Sequence, residues 1–213
     1  RAGRSTERQC ALELPIRCAG SNRRRPGFPV IDGVRARARI ACRRGDELLA
    51  AVVFDPPGGN LFSAARGCGA HWNGAPMAVT RQAGLDGSFL ATGYPFRAHR
   101  ALDLYLAAFR DIFLSAQAIR RCGSAALDLA YTAAGVYDGF FEFRLSPWDI
   151  AAGWLLIEEA GGVVTDLAGD PRGLAGGNVV AGGSAVQREL LATVSRHADE
   201  GELARRFAED GAG

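Results

Sequence analysis

A chain of 213 residues is long enough for one sizeable core or two small ones. Its 48% hydrophobic and 23% charged residues suit an ordinary globular protein, and no apolar run reaches the roughly 18 residues that cross a bilayer. The net charge of +2 is too small to make nucleic acid an obligate partner. Cys10, Cys18, Cys42, Cys68 and Cys122 show no C-x-x-C spacing, which argues against a zinc site and for reduced thiols. No apolar segment follows the Arg-rich N-terminus as a secretory leader would require, so a cytoplasmic location is expected.

The chain changes character near Ile40. All 25 basic residues are Arg, and twelve of them fall in the first 44 residues against three acids there, Glu7, Glu13 and Asp32. Residues 1–39 carry neither a helical nor an alternating apolar pattern, and read as a solvated basic arm or a disordered tail. Leu48–Phe54 reads as a strand stopped by Asp55-Pro56-Pro57-Gly58-Gly59, and Leu61–Ala65 as its neighbour. Ala70–Trp72 and Met77–Val79 flank Asn73-Gly74, a two-residue turn in which both residues tolerate positive φ. Ser88–Thr92 is a further strand, and Leu102, Leu106, Phe109 and Phe113 mark one face of a helix.

Beyond residue 120 strands alternate with helices. Ala118–Arg121, Tyr137–Glu142, Val163–Thr165 and Asn178–Ala181 read as strands; Ser124–Ala134, Trp148–Ala160 and Val186–Val194 as helices, with Glu202–Glu209 as a terminal extension. The pattern predicts an α/β unit over 121–213, an antiparallel part over 40–120 and an atypical segment over 1–39.

The residues with chemistry cluster between Gly123 and Gly162. Ser146 suits an N-cap, Pro147 the first helical position, and Asp149 the first turn. Asp149 has two compatible readings: a capping-box acid, or a carboxylate held ionised at a helix start as a ligand for a hard cation. Glu142 ends a strand beside Phe140, Phe141 and Phe143, where an unpaired acid is costly to bury. It either faces solvent or accepts hydrogen bonds from a polyol. Gly123-Ser124 opens a helix after a strand, leaving N–H groups able to meet an anion.

Trp148-Asp149-Ile150-Ala151-Ala152-Gly153 followed by Glu159-Ala160-Gly161-Gly162 resembles the C-terminal signature of the inositol monophosphatase family. So do Gly123-Ser124-Ala125-Ala126-Leu127-Asp128-Leu129-Ala130 and the stretch from Asp55-Pro56-Pro57 through Asn73-Gly74. The match is collinear from about Ile40 to Val194 and looks closest to the bacterial inositol-1-phosphatase branch. The resemblance implies a layered αβαβα sandwich. It also implies Mg²⁺-activated water attacking the phosphate monoester of inositol or a similar small polyol or sugar, with a homodimer as the candidate assembly. Asp149 would be the metal ligand, Glu142 would bind hydroxyls, and Gly123, Ser124 and Ala125 would line the substrate pocket.

The family's other carboxylates, a helical Glu-Glu pair and a D-P-[IL]-D-G-T loop, have no counterpart in this sequence. Ile31-Asp32-Gly33 imitates only part of that loop, and one carboxylate cannot satisfy two hard cations of about six oxygen ligands each. Residues 1–39 are therefore expected to be an out-of-frame or truncated stretch. The competing expectation is a non-catalytic interaction protein that keeps the phosphatase fold.

Overall fold

The computed structural model describes residues 18–19, 38–96 and 99–210. The first sheet is an antiparallel meander in chain order: β1 (Cys18–Ala19), β2 (Ala38–Arg44), β3 (Glu47–Asp55), β4 (Asn60–Ala65), β5 (Ala70–Trp72) and β6 (Ala75–Met77). Ala51 and Val53 of β3 turn inward together with Leu48, which a bulge opposite Cys42 and Arg43 brings to the same core, and Asp55 is buried beyond them. Asn73 and Gly74 close the β5–β6 turn at φ +49° and +81°, the left-handed pair expected from the sequence.

The second sheet holds β7 (Phe89–Thr92), β8 (Ala118–Arg120), β9 (Gly139–Glu142), β10 (Val163–Thr165) and β11 (Val179–Gly182), in the order β10-β11-β9-β7-β8. β7 runs parallel to both of its neighbours, β8 and β9, while β10 and β11 are antiparallel additions.

Five helices complete the described chain: α1 (Leu102–Ser115), α2 (Ala125–Ala133), α3 (Pro147–Glu159), α4 (Ser184–Ser195) and α5 (Glu200–Asp210). Two apolar cores divide them. Ala51, Val53 and Phe62 of the first sheet pack with Leu129 of α2, Ile150 and Leu155 of α3, and Ala91, Phe140 and Ala181 of the second sheet. The alternate residues of those last strands, Leu90, Phe141 and Val180, face the other way. They meet Tyr105 and Ile112 of α1, Val186 and Leu190 of α4, and Leu203 of α5.

The layers therefore run sheet, α2 with α3, sheet, then α1 with α4 and α5. This is an α/β sandwich; among the described residues no helical layer covers the outer face of the first sheet, where the expected αβαβα order has one. α3 buries Ile150, Ala152, Gly153, Trp154, Leu155, Leu156 and Ile157 because sheets cover it on two sides, which is why its sequence is apolar nearly all round.

Four expectations change. β2 is a strand that the Arg-rich sequence conceals, since its alternation sets Arg39, Ala41 and Arg43 against Ile40 and Cys42. β7 and β8 join the second sheet, so the antiparallel part ends at β6 rather than near residue 120. On α1 the buried face is Tyr105, Ala108 and Ile112, whereas Leu102, Leu106 and Phe113 are exposed. Finally, Cys68 is disulfide-bonded, while Cys42 and Cys122 are free. Asp32 lies outside the described residues, as does the rest of 1–37 apart from β1.

Candidate functional site

The parallel strands β7, β8 and β9 end on one edge of the second sheet. From β7 the chain passes to α1 on the outer face, and from β9 it passes into α3 in the middle layer. Adjacent parallel strands whose continuations leave to opposite faces open a crevice at their carboxyl ends. Glu142, the last residue of β9, lies in it. Its carboxylate packs directly on the Cα of Gly93, the residue following β7, where any Cβ would overlap it.

The floor of the crevice is polar and satisfied. Thr92 Oγ1 donates to the Phe141 carbonyl at 2.7 Å and lies 3.1 Å from the buried Tyr105 hydroxyl. Burial pushes the Tyr105 phenol well up from its ordinary value; the Thr92 contact opposes that, and the Glu142 carboxylate adds to it. Tyr105 is accordingly a neutral hydrogen-bonding group at any physiological pH.

The chain leaving β8 forms the next wall. Ser124 caps α2, accepting the Leu127 N–H at 3.5 Å; Gly123 precedes it at φ +84°, and Ala125 is the first helical residue. The first N–H groups of α2 and its positive dipole end thus face the same edge. Arg121 stacks over Tyr94 at 5.5 Å and Phe96 at 5.3 Å, with its guanidinium beside Gly123. Its charge, like that of Glu142, reaches Tyr105. Arg121, Gly93 and Tyr94 escaped the sequence reading, because a three-residue strand and a Gly-Tyr-Pro-Phe loop carry no period.

Asp149 stands at the start of α3, one short loop beyond Glu142. Its Oδ2 accepts the Ser146 backbone N–H at 3.3 Å, closing a capping box. Its Oδ1 is engaged by Arg39 of β2, whose Nη2 lies 2.5 Å away while Nε donates to the Trp148 carbonyl at 2.9 Å. Among the described residues no group of three or more His, Cys, Asp or Glu side chains is placed to hold a metal ion. A single carboxylate shared between a guanidinium and a backbone N–H does not match the oxygen-rich shell that Mg²⁺ takes. The described residues do not fit the metal that the resemblance implies.

The remaining motif residues are anchors. Glu159 accepts the Gly67 and Gly69 N–H groups, each at 2.9 Å, and pins the β4–β5 turn to the end of α3. Asn60 accepts from Trp72 Nε1 at 3.0 Å and donates to the Tyr131 hydroxyl at 3.1 Å, joining the first sheet to α2. Gly153 lets α3 approach Leu129 of α2 so closely that a Cβ would meet the Leu129 side chain at its root.

The family model described as "Inositol monophosphatase family" matches residues 39–200. The chain belongs to the inositol monophosphatase family. It is 47% identical over 160 residues to the Nus factor SuhB of Pseudomonas aeruginosa, covering 74% of this chain and 59% of that protein. Of solved structures, the extragenic suppressor protein suhB of Bartonella henselae superposes with a TM-score of 0.73 at 36% identity, covering 76% of this chain and 62% of the other. An inositol monophosphatase from Anabaena (Nostoc) gives a TM-score of 0.72 at 34% identity, covering 76% and 67%. The chain thus spans about three fifths of the length of the curated relatives it matches.

Proposed function

We propose that this chain carries the substrate half of a phosphomonoesterase site for inositol monophosphate or a similar small polyol or sugar phosphate. One observation carries the reading: the N-terminus of α2 and the carboxylate of Glu142 share the carboxyl edge of three parallel strands. An anion suits the first, through N–H groups and dipole. Hydroxyls suit the second, since an ionised carboxylate only accepts hydrogen bonds. Gly123, Ser124 and Ala125 bind and orient the phosphoryl group, and Glu142 selects among polyols. Arg121, held on Tyr94 and Phe96, adds positive charge at the rim. Hydrolysis by Mg²⁺-activated water, the activity the resemblance implies, needs carboxylates beyond the described ones.

A second reading has its own support. Relatives at 40–47% identity bear the name Nus factor or putative Nus factor SuhB, a factor name rather than an enzyme name, and Arg39 already neutralises Asp149. On this reading the chain is an interaction protein that retains the fold.

Two measurements separate them. Calorimetric titration with inositol monophosphate is expected to show binding that Glu142→Ala weakens roughly tenfold, the loss of one or two hydroxyl hydrogen bonds to a charged acceptor. Phosphate release is then assayed with added Mg²⁺. No binding to the wild-type chain and no phosphate release would leave only the interaction reading.

A further inference from the structure

We infer that Arg39 is a built-in cation at Asp149, closing the start of α3 to divalent metal. Three features of the geometry support this. Arg39 grips α3 twice, through Nη2 on the Asp149 carboxylate and Nε on the Trp148 carbonyl, so the guanidinium plane is fixed rather than loosely paired. Both side chains are mostly covered, at 19% and 18% exposure, which keeps the pair from being screened away as a surface ion pair would be. The contact also spans two layers, since Arg39 lies in β2, opposite Val53 of β3, while Asp149 lies on the middle-layer helix.

Electrostatics makes the two charges interdependent. A guanidinium beside a helix N-terminus is repelled by the positive end of the dipole, and Asp149 is what reverses that sign. Conversely, Asp149 without Arg39 would be a mostly covered carboxylate that has lost its guanidinium partner but keeps the helix dipole and the Ser146 N–H. A hard cation approaching Oδ1 must displace the guanidinium, breaking both of its hydrogen bonds, and gains one carboxylate oxygen in return. Mg²⁺ dehydrates reluctantly, and one oxygen of a carboxylate that already holds a guanidinium is a poor return for the water it gives up, so the exchange is unfavourable. The positive charge at this end of α3 is therefore supplied by the protein. The inference does not depend on the substrate reading, because its readouts involve no phosphate.

The test is thermal unfolding of the wild type, Arg39→Gln, Asp149→Asn and the double variant. Each is measured in about 10 mM MgCl₂ and in NaCl matched for ionic strength. The wild-type Tm is expected to be the same in both salts. Each single substitution is expected to lower Tm by roughly 2–6 °C, and the double variant to fall no further than the worse single one. Additive losses would overturn the inference, because the two residues would then not act as a pair. A Mg²⁺-dependent rise in wild-type Tm that Asp149→Asn abolishes would overturn it as well. If Arg39→Gln does not fold, binding of Mn²⁺ followed by electron paramagnetic resonance decides on the wild type and Asp149→Asn alone. Equal uptake by both supports the inference, and one ion per chain lost with Asp149 overturns it.

Discussion

The carboxylate of Glu142 rests on the Cα of Gly93, so the last residue of β9 is held by the absence of a side chain just after β7. Small size at position 93 and the placement of the acid are one feature. Gly93→Ala should push the Glu142 carboxylate out of the crevice and lower Tm by about 2–4 °C. Glu142→Ala introduced into that variant should restore most of the loss, because the overlap disappears with the carboxylate. The check is a double-mutant cycle in thermal unfolding; additive losses would mean the contact is not the cause.

Glu159 and Glu158 are adjacent acids with different expected weights. Glu159 takes two backbone N–H groups and is 10% exposed, whereas Glu158 pairs with the half-exposed Arg66 at 2.6 Å. Glu159→Ala strands two turn N–H groups and should cost about 2–4 kcal/mol. Glu158→Ala should cost less than about 1 kcal/mol, in the range of exposed ion pairs. Urea unfolding of the two variants side by side measures the difference.

At Gly153 two effects oppose each other. Alanine gains about 1 kcal/mol of helix propensity but overpacks Leu129, at about 1–3 kcal/mol. The close atoms include the Leu129 Cβ, which cannot swing away, so the steric cost should win. Gly153→Ala is expected to destabilise by up to about 2 kcal/mol, and Gly153→Val, with less propensity gain and more bulk, by more. A stabilised Gly153→Ala in urea unfolding would contradict the tight α2–α3 approach.

Asp111 of α1 binds His197 just past α4, at 2.8 Å. That hydrogen bond holds the Asp111 carboxyl below the ordinary carboxylate range. A carboxylate with a depressed pKa in the folded state lends stability that is present above its unfolded value near 4. That stability is lost as pH falls through the lower folded value. The stability difference between wild type and Asp111→Asn should therefore be constant above about pH 5 and shrink as pH falls from there through about 4. Unfolding midpoints across that interval test this; a difference that grows on acidification would reverse the sign of the linkage.

Much of the architecture was legible wherever the sequence punctuates its elements. The apolar run Leu48–Phe54 stopped at Asp55-Pro56-Pro57 and the Asn73-Gly74 turn identified the meander, and Ser146-Pro147 marked the start of α3 within one residue. The family was legible too, because its motifs combine backbone requirements with anchors: Glu159 for a turn, Gly153 for a close approach. β2 was not, since an Arg-rich strand reads as a solvated arm until Arg39 is seen reaching α3. The α1 face was misjudged because both of its stripes contain large apolar residues, and only docking on Phe141 and Phe143 selects the one with Tyr105.

The sequence by itself determined which residues can carry charge or spare N–H groups at a site: Glu142, Asp149 and the Gly123–Ala125 helix start. Local patterning suffices for that, because caps and strand ends are set within a few residues. Only the tertiary structure decided what each of them meets. The parallel pairing of β7 with β8 and β9 brings Gly93, Arg121 and Glu142 to one edge, and the packing of the first sheet on α3 delivers Arg39 to Asp149 from 110 residues away. Such contacts depend on through-space distance in a folded chain, and no window of sequence contains both partners.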